Sequence, residues 1–315
     1  MKQYIIDPLP DIEYSYLNNT KLSKEIFSNH IQADGTWHKI NVFDDTDIKI
    51  ALRHTTDKGF NFERIDALIL DAIGTLYDNG IYFFTTDMVA KVIYQNNHHR
   101  TTAKVIQTIQ NRFNLMMGLN IRVNIENEHH VRQSVPKDKR LMKSTYTYFL
   151  PIKTIEAVFS ANNKHGLGYH LYESPLLWEY AKYTKQIVKC SFGSFRLPKQ
   201  NMTIESLLIL RYIHRRIETM KNPNNNLFNH KICLYRIENK VPKGLLAECG
   251  IDPFSYRNWS DKHRKICRLI ESFLERLKTA DDKTVRIKNY KHYKTNSGEG
   301  YHIDLYSRFN KSYKN

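Results

Sequence analysis

Two apolar-periodic stretches followed by a pair of alternating strands constrain residues 202–306 more than any other part of the chain. The first stretch, Ile204, Leu207, Leu208, Leu210, Ile213 and Ile217, repeats at the spacing of one helix face. The second runs from Asp261 to Lys278 behind a Ser260 cap, with Ile266, Leu269, Ile270, Phe273, Leu274 and Leu277 as its apolar side. Alternation then predicts strands from Thr284 to Tyr293 and from Tyr301 to Tyr306, with a turn around Asn296 and Gly298. With a short helix placed in the irregular middle, helix, helix, basic helix, hairpin is the order of a winged helix-turn-helix. In such modules the N-terminal end of the second motif helix meets base edges.

The first two turns of the second helix carry Lys262, His263, Arg264, Lys265 and Arg268. A solvated face is the ordinary explanation of such a run. Cations at a helix N-terminus nevertheless oppose the macrodipole, at a cost of roughly a few tenths of a kcal/mol each, so stability alone favours acids there. The hairpin repeats the bias with Arg286, Lys288, Lys291, His292 and Lys294, interleaved with Tyr290 and Tyr293, whose rings suit sugar and phosphate contacts. These residues point to double-stranded DNA.

Charge is concentrated in the same region. The 315 residues hold 48 Lys and Arg against 32 Asp and Glu, a net of +16. From residue 201 onward there are 23 basic and 12 acidic residues, a net of +11, which leaves +5 for the first 200. That is the footprint of a protein that displaces counterions from phosphates. No apolar run approaches the ~18–20 residues of a membrane span, so no membrane partner is expected. The N-terminus MKQYIIDPLPDIEY lacks a secretory pattern. Cys190, Cys233, Cys249 and Cys267 form no CxxC pair, which implies neither a zinc site nor a disulfide framework. A cytoplasmic protein with reduced thiols and no cofactor or metal is the expectation.

A second, less basic copy of the pattern lies upstream. Ile65, Leu68, Ala72, Ile73 and Leu76 make a helix face ending at Tyr77, and Asp78-Asn79-Gly80 makes a turn. Ile81 to Phe84 is a short strand, and Thr85 caps a helix with Met88, Val89, Val92 and Ile93. Thr101 or Thr102 caps a third helix with Val105, Ile106, Ile109, Phe113 and Met116 inside. Lys104, Gln107, Thr108, Gln110, Asn111 and Arg112 are left facing out. Amides there suit adenine edges or a protein partner equally. Strands follow at 119–125 and 146–150. The predicted fold is α+β, with two winged helix-turn-helix domains packed in tandem. Residues 1–60 are an extension with a strand pair, 61–199 the first domain with a hairpin and connector, and 200–315 the second, basic domain. Residues 310–315 make a polar tail.

The string FERIDALILDAIGTLYDNGIYFFTTDMVAKVIY resembles the opening of the first winged helix in plasmid and mobile-element replication initiator proteins. The strings LLILRYIHRRIETMKN, KICLYRI and DKHRKICRLIESFLERLK resemble the second winged helix of the same proteins. The resemblance implies a downstream module that binds repeated origin sites and an upstream one that supports dimerisation and DNA contact. It also implies host helicase or replication proteins as partners. Site-reading residues would be Lys262, His263, Arg264, Lys265 and Arg268, with Lys288, Lys291 and Lys294 on the wing. The Asn-rich stretch 222–229, Pro242 and Pro253 depart from the pattern and blur the middle helix.

Signatures of catalysis are absent from the sequence. No histidine lies two residues from another, as the metal pair of a DNA-nicking initiator requires, and His98-His99 and His129-His130 are adjacent. There is no GxxxxGK[ST] loop and no HExxH. Asp44-Asp45 and Asp281-Asp282 could in principle hold a metal, but adjacent acids in polar loops are usually solvated. A non-catalytic replication initiator and a transcriptional repressor or accessory factor of a mobile element both fit. They differ in what the bound protein recruits.

Overall fold

The computed structural model of the chain describes residues 4–17, 26–27, 30–32, 35–40, 47–52, 59–98, 100–124, 145–197, 202–221, 230–238, 241–279, 286–296 and 298–306. The fold is mixed α+β, and the chain divides into two compact units, Met1–Gly193 and Ser194–Asn315. No helix among the described residues is long and apolar enough to cross a membrane.

In sequence order the first unit carries β1 (Tyr4–Ile6), β2 (Glu13–Leu17), β3 (His30–Ile31), β4 (His38–Ile40), β5 (Asp47–Leu52) and β6 (Phe60–Asn61). Then come α1 (Arg64–Asp78), β7 (Phe83–Phe84), α2 (Thr86–Ile93), α3 (Ala103–Met117), β8 (Leu119–Asn124) and β9 (Thr145–Tyr148). The hairpin β10 (Ile152–Phe159) and β11 (Lys164–Leu171), α4 (Leu176–Tyr183) and β12 (Ile187–Ser191) complete it.

Helix α1 is the axis of this unit. Every residue from 65 to 76 is buried, the mark of a central helix rather than a half-buried one. Glu63 and Asp66 close a capping box at its start, with the Glu63 N–H donating to Asp66 Oδ2 at 2.7 Å. Gly80, at φ 73°, supplies the left-handed turn that ends it. Gly74 faces the indole of the buried Trp178 on α4, where a Cβ would overlap the ring.

Polar side chains on α1 dock a strand. Asp71 Oδ1 accepts from Leu17 N at 2.9 Å, Thr75 Oγ1 accepts from Ser15 N at 3.0 Å, and Asn79 Oδ1 accepts from Glu13 N at 3.2 Å. Thr75 and Asn79 also donate to the carbonyls of Ser15 and Glu13, at 2.8 and 2.9 Å. Four helical residues rise about 6 Å and two strand residues about 6.6 Å, so the two repeats stay in step over this length. The other edge of β2 pairs with β12, antiparallel, so no backbone polar row of β2 is stranded in the core.

Residues 1–60, an appendage by sequence pattern, contribute strands to the sheets of this unit. Strand β5 pairs along its whole length with β8, Asp47 opposite Asn124 and Leu52 opposite Leu119, within the antiparallel order β4-β5-β8-β9. Strand β1 pairs parallel to β10 in the order β1-β10-β11-β7. The predicted caps Thr85 and Thr102 hold, accepting from Met88 N at 3.2 Å and Val105 N at 3.4 Å.

The second unit runs α5 (Ile204–Met220), β13 (Lys231–Glu238), β14 (Val241–Lys243), α6 (Leu245–Glu248), a 3-10 turn at Pro253–Ser255, α7 (Trp259–Thr279), β15 (Ile287–Thr295) and β16 (Gly298–Leu305). Its sheet has the order β14-β13-β16-β15, antiparallel throughout. Leu207, Leu210, Ile213 and Ile217 of α5 are buried, as are all six predicted apolar residues of α7. Phe195, ahead of the predicted boundary at 200, is 2% exposed, with its ring centroid 6.2 Å from Phe273.

One expectation for this unit is corrected, and one left open is filled in. The cap of α7 is Asn258, whose Oδ1 accepts from Asp261 N at 3.2 Å, and Ser260 lies inside the helix. The middle helix is one turn of four residues, because Pro242 belongs to β14 and Pro253 starts the 3-10 turn. Gly244, at φ 97°, sits where a Cβ would meet the Cys233 carbonyl at 2.9 Å, so the entry to that turn requires glycine.

Candidate nucleic-acid interface

Helix α7 sorts its side chains into three directions. Ile266, Leu269, Ile270, Phe273, Leu274 and Leu277 enter the core. Positions 263, 267, 271 and 275, each four residues apart, form a polar seam toward the β15–β16 hairpin. His263 Nε2 lies 3.1 Å from Glu299 Oε2, and Tyr301 Oη donates to Glu271 Oε1 at 3.3 Å. The side-chain hydrogen bond between Glu275 and Tyr290 helps push the Tyr290 phenol up to about 12, after burial. The third direction, solvent, is taken by Arg264, Lys265 and Arg268.

The five predicted cations of this helix therefore have different situations. Lys262 is folded back, its ammonium over the Tyr256 ring at 5.0 Å and bonded to Glu205 Oε1 at 2.5 Å. His263 is turned into the seam. Arg264 is 62% exposed and leans on Asp261, one turn back. Among the described residues, neither Lys265 nor Arg268 meets an acidic group.

The hairpin splits its cations between its two faces. Lys294, paired across the strands with Glu299, shares the helix-facing side with His292 and Tyr290. Lys291 lies on the other side, opposite His302, which is in turn opposite Lys231. A row Lys231–His302–Lys291 thus crosses three strands, with the Lys231 ammonium 5.6 Å from the Tyr293 ring centroid. Lys231 and His302 were not singled out from the sequence, because the row exists only once β13 pairs with β16. Lys288 is exposed, and Arg286 is stacked over the Tyr306 ring at 5.1 Å.

In the first unit α3 presents Lys104, Gln107 and Asn111 to solvent, with Gln107 Nε2 donating to Asn111 Oδ1 at 2.9 Å. Arg112 is the correction. Predicted to face out, it is 6% exposed and takes up the acids at the start of α1. Its Nε and Nη2 donate to the two oxygens of Asp66 at 2.8 and 2.5 Å, and its Nη1 donates to Glu63 Oε1 at 2.9 Å. Nη2 also reaches the Asn61 carbonyl at 2.8 Å, and the guanidinium lies 4.8 Å from the Phe60 ring centroid. Burial pushes the Asp66 carboxyl up, and the Arg112 hydrogen bonds pull against it. A guanidinium with this many internal acceptors has no free edge for a nucleic acid.

His98 is exposed. His99, His129, His130, the acidic pairs at 44–45 and 281–282, the stretch 222–229 and the tail from 310 lie outside the described residues.

No protein-family model matches the chain, and no curated protein does. Among solved structures it is similar to RctB domains 2-3, with a TM-score of 0.35 and 10% identity over 88% of this chain and 92% of that one. A second structure, of domain 2 and domain 3 of RctB, gives a TM-score of 0.37 and 11% identity over 91% and 97%.

Proposed function

We propose that this chain is a sequence-specific double-stranded DNA-binding protein, acting without catalysis as a replication initiator of a plasmid, phage or integrated mobile element. In this reading the second unit is a winged helix, with α6 and α7 as its helix-turn-helix and β15–β16 as its wing. The observation that carries it is the exposed set Arg264, Lys265 and Arg268 on the solvent side of α7, followed by a hairpin with exposed Lys288, Lys291 and Lys294. Arginine side chains so placed suit the acceptor pair of guanine in the major groove, and the lysines suit phosphates. The first unit supplies Lys104, Gln107 and Asn111 as a secondary contact or a face for a second copy.

The test is a fluorescence-anisotropy titration of the protein against duplexes recovered by selection, at several salt concentrations. Arg268→Ala should weaken the selected site by about 1–3 kcal/mol and leave random duplex nearly unchanged. Lys291→Ala should weaken both alike and reduce the salt slope by about one phosphate contact. Equal affinity of both variants and wild type would remove this surface. Recovered direct repeats support an initiator, and a single inverted repeat supports a repressor. Supercoiled DNA carrying the site should stay unnicked with magnesium or manganese.

A further inference from the structure

The seam between α7 and the hairpin contains a cluster that the DNA-binding reading does not use. His263 and Cys267 stand four residues apart on one side of α7, and Glu299 faces them from β16. One potential ligand atom from each of the three lies within 4.8 Å of the other two. His263 Nε2 is 3.1 Å from Glu299 Oε2 and 3.8 Å from Cys267 Sγ. All three residues are half-buried, with His263 25% and Glu299 13% exposed at the side chain.

We propose that His263, Cys267 and Glu299 bind a divalent transition cation, zinc by the character of the donor set, which ties α7 to the hairpin. One imidazole, one thiolate and one carboxylate are the ligand types zinc takes. With zinc–nitrogen bonds of about 2.0–2.1 Å and zinc–sulfur bonds of about 2.3 Å, the edges of a tetrahedral site are roughly 3.4–3.6 Å. The separations of 3.1 and 3.8 Å bracket that range. The third edge, between Cys267 and Glu299, is within 4.8 Å, so a cation fits once rotation of these side chains draws that pair together.

His292 is the positioning residue. Its Nε2 lies 2.9 Å from Glu299 Oε1, the oxygen that His263 does not contact. That second contact fixes the carboxylate plane and leaves Oε2 directed at the cluster, as partners of metal-bound carboxylates do. The site joins α7 to the β15–β16 hairpin, so the cation would set the angle between the basic helix and the wing. It goes beyond the DNA-binding reading and does not depend on it.

Full-length protein, treated with chelator and titrated with cobalt(II), tests the proposal without DNA. The expected result is saturable uptake of one cation per chain, with a thiolate-to-cobalt charge-transfer band that zinc(II) bleaches. Cys267→Ser should abolish the band, while Cys190→Ser, Cys233→Ser and Cys249→Ser leave it. His292→Ala should retain the band but weaken zinc binding about 10–100-fold. Zinc should raise the melting temperature of wild type and not of Cys267→Ser, with circular dichroism confirming that the variant is folded. If Cys267→Ser does not fold, Glu299→Gln serves in its place and should abolish uptake. Absence of saturable uptake by folded wild type, or a charge-transfer band that survives Cys267→Ser, overturns the site. DNA affinity of the same samples is measured separately, so either reading can fail alone.

Discussion

Arg112 shows how far one side chain can depart from what its neighbours on a helix suggest. On α3 it follows the solvent-facing Asn111, and its charge argues for exposure. Its length lets it turn beneath the helix, and three acceptors at the α1 start, Asp66, Glu63 and the Asn61 carbonyl, draw it in. Removing one member of a buried pair leaves the other charged and unpaired. Arg112→Ala should therefore destabilise the first unit by about 3–5 kcal/mol, read from urea unfolding. Lys104→Ala, on the exposed side of the same helix, should change stability by under about 0.5 kcal/mol. A loss of similar size for both would mean that the Arg112 cluster is not formed.

At the scale of elements, the docking of β2 on α1 is a hydrogen-bonded contact of helix side chains with strand backbone. Thr75 satisfies both backbone groups of Ser15 in a fully buried setting. Thr75→Val keeps the shape and deletes the hydroxyl, leaving a buried donor and acceptor without partners. The expected cost is about 1–3 kcal/mol, with faster amide exchange at Ser15 and restoration by Thr75→Ser. Unchanged exchange at Ser15 in Thr75→Val would refute the docking. The sequence signal existed only in part. The four-residue spacing of Asp71, Thr75 and Asn79 is visible in DAIGTLYDN, but those residue types also suit turns, and their partner lies more than 50 residues upstream.

For the whole molecule, the boundary between the units decides which fragments are useful. Phe195 and Leu197 are buried in the second unit, and Arg276 on α7 donates to the Arg196 carbonyl. A fragment beginning at 194 should fold cooperatively and keep the sequence preference of the full chain. One beginning at 200 should be less stable by at least about 3 kcal/mol, the cost of emptying a buried phenylalanine site. Thermal melts and footprinting on one duplex would check both. Equal melting temperatures would show that residues 194–197 do not belong to this core, and footprinting confined to residues 1–193 would move the DNA site to the first unit.

Local periodicity determined the long elements by itself: α1, α2, α3, α5 and α7 each repeat apolar residues at helical spacing, and Thr85 and Thr102 are local caps. It also determined that Arg264, Lys265 and Arg268 face solvent, because the apolar face of α7 fixes the rest of the helix by rotation. Pairings over long separations were left to the tertiary structure, since a strand's hydrogen-bonding edges carry no record of their partner. That is why β5 joins β8, why β2 lies between α1 and β12, and why Lys231 lines up with His302 and Lys291. The cluster of His263, Cys267 and Glu299 has the same origin. Two of its members are four residues apart and legible as neighbours, while the third arrives from 32 residues further on, brought there by the packing of the hairpin against α7.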